Sequence, residues 1–145
     1  MRFASALTAT IAGALLIGAV PAVAQTTKSD RAAAAQARYD AKLAKALEGR
    51  VAGEAVRCID LRSIRSSTII DKTAIIYEVG NKLYVNRPAG GASSLGSDDV
   101  LVTRTSGSQL CDVDIVRLID RTNHFPTGFV NLGKFVPYSK PAKSS

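Results

Sequence analysis

The chain has no tryptophan, a single histidine (His124) and only two cysteines, Cys58 and Cys111, in 145 residues. Four tyrosines and four phenylalanines complete a thin aromatic set. Each shortage removes a chemistry. One histidine and two cysteines leave a zinc centre short of ligands. So few aromatics supply no platform on which unpaired bases stack. No G-x-S-x-G elbow occurs, so His124 and the abundant serines do not make a recognisable hydrolase triad. Gly90-Gly91 is followed by neither the spacing nor the Lys-Ser/Thr of a phosphate-cradling loop. The sequence therefore assigns no catalytic residue, no metal ligand and no cofactor. What remains is an apolar fraction of 46%, which argues against wholesale disorder, and a length suited to one domain.

Long apolar runs are confined to the N-terminus. Met1-Arg2 supplies one positive charge, and Ala6 to Val20 follows without an ionisable residue. Pro21-Ala22-Val23-Ala24 then places small residues where a signal peptidase reads them. This is the three-part secretory signal, with cleavage expected after Ala24. The apolar run is too short, and too diluted by Ala, Gly and Thr, for a bilayer crossing of about 20 residues. The expected organisation is a signal at 1–24, a polar linker and helical arm at 25–50, a β-rich domain at 51–138 and a disordered tail at 139–145. Export implies a periplasmic or extracellular location.

Outside a reducing cytosol, Cys58 and Cys111 are most simply one disulfide. A redox pair usually reads C-x-x-C, and a metal needs further Cys or His neighbours; neither is present. Closing so long a loop stabilises by about 4 kcal/mol in the chain-entropy account. Val56 and Val113, beside the two cysteines, are expected in the core.

Arg31 to Glu48 has no Gly and no Pro and is rich in Ala, Lys, Arg and Leu, so it reads as a helix capped by Ser29 or Asp30, with Gly49 beyond its end. Tyr39, Leu43, Ala46 and Leu47 form one narrow apolar stripe. Such a basic amphipathic helix can lie on an anionic membrane. Its interspersed acids favour a stripe packed on the body instead. From Val51 the pattern is of strands: Val51–Leu61, Ser67–Ile70, Thr73–Val79, Lys82–Arg87, Val100–Thr105, Leu110–Ile119 and Leu132–Tyr138. Gly80-Asn81 is a two-residue hairpin turn that pairs Tyr77 with Tyr84 and Ile76 with Val85. Asp71-Lys72 suggests another turn, Pro88 to Asp99 a Gly/Ser-rich loop, and Pro126 to Gly128 a break. The expected fold is mainly β, a small antiparallel sandwich or half-barrel of six to seven strands preceded by one amphipathic helix.

Asp112 and Asp114, two apart, would share one face of a strand, with Cys111, Val113 and Ile115 on the other. Such a pair can hold a divalent cation or act as acid and base. Pairing with Arg57, Arg62, Arg65 or Arg104 is the more ordinary use. In Cys58–Arg65, Asp60, Arg62 and Arg65 lie among apolar residues, and guanidinium forks bind carboxylates and phosphates at two points. Asp60, Arg62, Arg65, Arg104, Asp112 and Asp114 are thus the candidate polar site.

Net charge is +7, split evenly: residues 25–50 carry six basic and three acidic groups, and residues 51–145 twelve and nine. A body with interspersed signs lacks the clustered Lys/Arg of a nucleic-acid face. No nucleic-acid partner is expected. An anionic envelope component is the more accessible partner for an exported chain, and oligomeric state is not legible.

Taken together, CIDLRSIR (58–65), KLYVNR (82–87), TSGSQLCDVDI (105–115) and LGKFVPY (132–138) resemble a family of small exported proteobacterial proteins, a domain of unknown function. The resemblance runs from about Val51 to Tyr138, and its C-I-x-L-R-x-I and S-Q-L-C-x-V-D-I blocks are its most specific parts. It implies an exported single domain and no activity. Family members often carry a second cysteine pair, near Ala92 and Val130 here; both are absent from this chain, as in the loss of one bridge as a unit. The leading functional expectation is a non-enzymatic binding or structural accessory of the envelope. The alternatives are a hydrolase or metal-assisted enzyme at Asp112/Asp114, and a membrane-surface protein using helix 31–48.

Overall fold

A computed structural model describes residues 27–142; the expected signal segment 1–24 lies outside the described residues. Chain order begins with α1 (Lys28–Ala46), β1 (Val51–Ala52), β2 (Cys58–Asp60), β3 (Ile64–Ile70), β4 (Ala74–Val79) and β5 (Lys82–Asn86). It continues with β6 (Asp99–Thr103), β7 (Gln109–Cys111), β8 (Ile115–Asp120), β9 (Pro126–Asn131) and β10 (Phe135–Ser139). Over the described residues the protein is mainly β, one α-helix followed by antiparallel sheets. The described residues hold ten strand segments, not six or seven, because two expected strands, 51–61 and 110–119, are each broken in two and β9 forms at the expected break.

Helix α1 starts three residues earlier than the sequence pattern suggests. Thr27 is the N-cap: its hydroxyl accepts from the Asp30 N–H, and the Asp30 carboxylate accepts from the Thr27 N–H. This reciprocal box satisfies two amide donors that a helix start otherwise leaves open.

Strands β1-β10-β5-β4-β3 form the main sheet in that order. The hairpin β4–β5 has the expected register, Tyr77 opposite Tyr84 and Ile76 opposite Val85. Gly80 takes the positive φ of 58° that its turn demands. The β3–β4 connection is the turn at Asp71–Thr73, with Lys72 left-handed at φ 54°. Because successive strand residues face opposite sides, β4 contributes to two cores. Ala74 and Ile76 join Ile70, Val85 and Leu43 beneath the helix. Ile75 and Tyr77 join Phe135, Leu95, Leu132, Ile59 and Leu110 on the other side. Val116, Leu118 and Val130 of the three-stranded sheet β6-β8-β9 complete that second cluster.

The helix docks on the main sheet. Leu43 is buried and Tyr39 and Leu47 pack around it, while Ala46, counted in the stripe, stays exposed. Gln36 donates to the Thr73 hydroxyl at 3.0 Å, and Lys42 and Arg87 reach Asp71 and Asp40 across the junction.

Several expectations are corrected. The run 110–119 is not one strand: β7 ends at Cys111 and β8 begins at Ile115, with a turn between. Val113 is therefore 74% exposed, and Val56 lies at the surface in an isolated bridge to Phe135. Neither is a core residue. The Pro126–Gly128 break is instead the start of β9, where proline costs no ladder bond because it is the first residue of an edge strand. Ser139, assigned to the tail, ends β10 opposite Val51. The loop 88–99 holds a turn of 3-10 helix at Ala92–Ser94, entered through Gly91 at φ 79° where a Cβ would strike the Phe129 carbonyl.

Candidate functional site

The disulfide is present. Cys58 and Cys111 are register partners in the two-stranded sheet β2–β7, with Cα atoms 4.0 Å apart and no free cysteine among the described residues. It suggests an oxidising compartment. No helix among the described residues is long and apolar enough to cross a membrane.

The six candidate polar residues do not converge. Asp60 caps the short 3-10 turn after β2, accepting from the Arg62 N–H and the Ser63 hydroxyl. The Ser63 hydroxyl and the Arg62 amide hold its carboxyl below the ordinary range. Arg62 is exposed. Asp112 is engaged by the Arg57 guanidinium in a two-point pair at 3.1 and 3.3 Å. Asp114 folds back on its own turn and accepts from the Cys111 N–H at 2.7 Å. The two acids are thus not on one strand face; each closes a different local contact. No group of three or more Asp, Glu, His or Cys placed to hold a metal occurs among the described residues. Arg104 shares an open hollow with Asp114, Val102, Val113, Ile115 and Arg117.

Arg65 has a different setting. The β3–β4 register shifts between Ile64 and Ser66, so Arg65 is the extra residue of a bulge. A bulge redirects its side chain out of the regular alternation. Here it lines a cleft of about 440 Å³ with Arg50, Lys82, Lys140, Glu78, Asn81, Leu83 and Ser139. The register explains the gathering. Val51 faces Ser139, Tyr138 faces Leu83, Lys82 faces Val79, and Val79 faces Ile64. Arg50, Lys140, Lys82 and Arg65 therefore stand at the same end of β1, β10, β5 and β3. Four cations meet one acid, Glu78, whose carboxylate already accepts from the Ser66 hydroxyl at 2.9 Å. Arg50 donates to the Asn81 carbonyl at 3.1 Å, which ties β1 to the hairpin turn. None of the four cations is in an ion pair among the described residues. Converging guanidinium and ammonium donors at a sheet end can hold a carboxylate or phosphate.

Sequence reading found Arg65 and missed Arg50, Lys82 and Lys140. Lys82 was accessible from the hairpin turn it follows. Arg50 and Lys140 come together only through the β1–β10 pairing, which joins the two ends of the domain and has no local signal.

His124 is left-handed, at φ 60°, in the exposed β8–β9 turn. That turn is organised by Asp120, whose carboxylate accepts from the Asn123 and Thr122 amides and is held low by them.

Compared with known proteins, the chain matches no protein-family model, no curated protein and no solved structure.

Proposed function

We propose that the protein is an exported, non-enzymatic binding domain of the cell envelope, and that its cleft receives an anionic envelope component bearing carboxylate or phosphate groups. The observation that carries this reading is the gathering of Arg50, Arg65, Lys82 and Lys140 at one end of the sheet with a single, already engaged acid. Export rests on the signal pattern at 1–24 and on the disulfide, and the resemblance of the C-I-x-L-R-x-I and S-Q-L-C-x-V-D-I blocks to exported proteobacterial proteins points the same way. The acids of the enzymatic alternative are engaged elsewhere, and the apolar stripe of the membrane-helix alternative is covered by the sheet. For the fold, the shared core of the five- and three-stranded sheets supports an open sandwich.

The test is a binding titration with fluorescently labelled polyphosphate at fixed ionic strength. Arg65→Gln with Lys82→Gln is expected to weaken binding tenfold or more, since charge-assisted hydrogen bonds each contribute about 1.5–3 kcal/mol. Arg38→Gln with Lys45→Gln, on the outer face of the helix, removes the same charge and is expected to change affinity little. Equal losses from both pairs would reduce the binding to net charge and refute the cleft.

A further inference from the structure

The three-stranded sheet β6-β8-β9 covers the core with one face and leaves the other bare. Along β8, Val116 and Leu118 are fully buried, whereas Ile115 is 55% exposed and Arg117 and Ile119 share its side. Register extends that outer face across the sheet: Val100 stands opposite Ile119, Val102 opposite Arg117, and Arg117 opposite Phe129. Phe129 is 58% exposed, and Phe125, in the β8–β9 turn, is 70% exposed. Val113 projects at the opposite end of β8. An open hollow of about 580 Å³ between Ile115, Ile119, Pro126 and Phe129 runs along the face. An antiparallel sheet with one solvated face ordinarily makes it polar. Here Val100, Ile115, Ile119 and Phe129 place apolar side chains around Arg117 on that face, a grouping of the kind that marks an interaction site.

Its charges say what covers it. Arg117 stands in the middle, with Arg104 and Arg121 following the ends of β6 and β8. None of the three is in an ion pair among the described residues. Of the neighbouring acids, Asp114 and Asp120 accept from backbone amides, and Asp98 lies beside Arg121 at the edge of the face. Two copies placed face to face about the middle of the sheet would set the two Arg117 guanidiniums, like charges, against one another. A surface of apolar tails and anionic headgroups satisfies both features. On such a surface Phe125, Phe129 and Ile115 would enter the acyl boundary, while the Arg117 guanidinium would reach the phosphates.

We propose that the outer face of β6-β8-β9 is a docking surface for an anionic lipid bilayer, so that the protein attaches to membranes by a sheet and not by its basic helix. The proposal is independent of the cleft, which lies on other strands.

The test is sedimentation of the protein, as recovered from the cell, with vesicles of phosphatidylglycerol and phosphatidylcholine. Co-sedimentation is expected with the mixed vesicles and is expected to be weak with phosphatidylcholine alone. Ile115→Ser with Phe129→Ser is expected to lower the partition at least tenfold. Arg117→Gln is expected to lower it about fivefold, the worth of one cation near an anionic surface. These side chains are exposed, so melting temperature should hold; Val100→Thr with Ile115→Thr, which keep branched strand formers, provide a second pair. Arg38→Gln and Lys45→Gln on the helix are each expected to leave the partition unchanged. Loss of vesicle binding in either, competition by millimolar glycerol phosphate, or a solution dimer abolished by Phe129→Ser would overturn the proposal.

Discussion

Cutting the Cys58–Cys111 bridge perturbs the shortest sheet among the described residues. Strands β2 and β7 pair over three residues each, Cys58 with Cys111, Ile59 with Leu110 and Asp60 with Gln109. Ile59 and Leu110 are buried in the larger core, so the ribbon is held from both sides, by packing and by the covalent link. The bridged residues are 53 apart in sequence. The chain-entropy relation gives about 4 kcal/mol of stabilisation for a loop of that length. A domain of this kind is held by about 5–15 kcal/mol in all. At about 4 °C per kcal/mol for this size, Cys58→Ser with Cys111→Ser should lower the melting temperature by about 15 °C. Each single variant should lose about as much as the double, because the two residues act as one unit. The assay is a thermal melt followed by circular dichroism, paired with a thiol count that should find no free cysteine in the native protein. A loss below about 5 °C would refute the reasoning, showing that the unfolded chain gains little freedom when the bridge is cut.

Two further perturbations address the core and the acid limb. The Tyr77 hydroxyl is buried with no protein hydrogen-bond partner, and burial pushes its ionisation well above the usual value. Tyr77→Phe keeps the ring packed 5.9 Å from Phe135 and should raise stability by about 1 kcal/mol in a urea titration; an equal loss would show the hydroxyl to be satisfied. Partial burial works to raise the Asp71 carboxyl, but the Ser97 amide at 2.7 Å and Lys42 at 3.5 Å outweigh it and hold the group below its ordinary 3.8. The unfolded chain then binds more protons than the folded one between the two values, so this contribution is complete above about pH 4 and is lost as pH falls through the depressed value. Asp71→Asn should flatten the melting-temperature curve between pH 5 and pH 2, and parallel curves for the two proteins would contradict the assignment.

The parts legible in the sequence are those that short-range chemistry decides. A helix appears wherever Ala, Lys and Leu run without Gly or Pro, and Gly80-Asn81 closes a hairpin because glycine reaches the positive φ such a turn needs. Two cysteines without metal-site neighbours, in a chain whose N-terminus leads one to expect export, have one another as their natural partner. The helix and the hairpin needed only the residues of their own segments, and the bridge only the cysteine count and the expected compartment; the helix, the hairpin register and the bridge are all present. The broken strand at 112–114 was not legible, since Asp112 and Asp114 fit a strand's alternation as well as a turn. Only the contacts made, one to Arg57 and one to the Cys111 amide, decided for the turn. Tertiary structure likewise decided which apolar residues are core. Alternation along β8 says that Ile115 and Val116 face opposite ways, but not which side another element will cover. Docking the three-stranded sheet buried Val116 and left Ile115 in solvent, and pairing β1 with β10 brought Arg50 and Lys140 to Lys82 and Arg65. Both outcomes depend on pairings between residues far apart in the chain, whose energy lies in the assembled surfaces and leaves no mark on the local sequence.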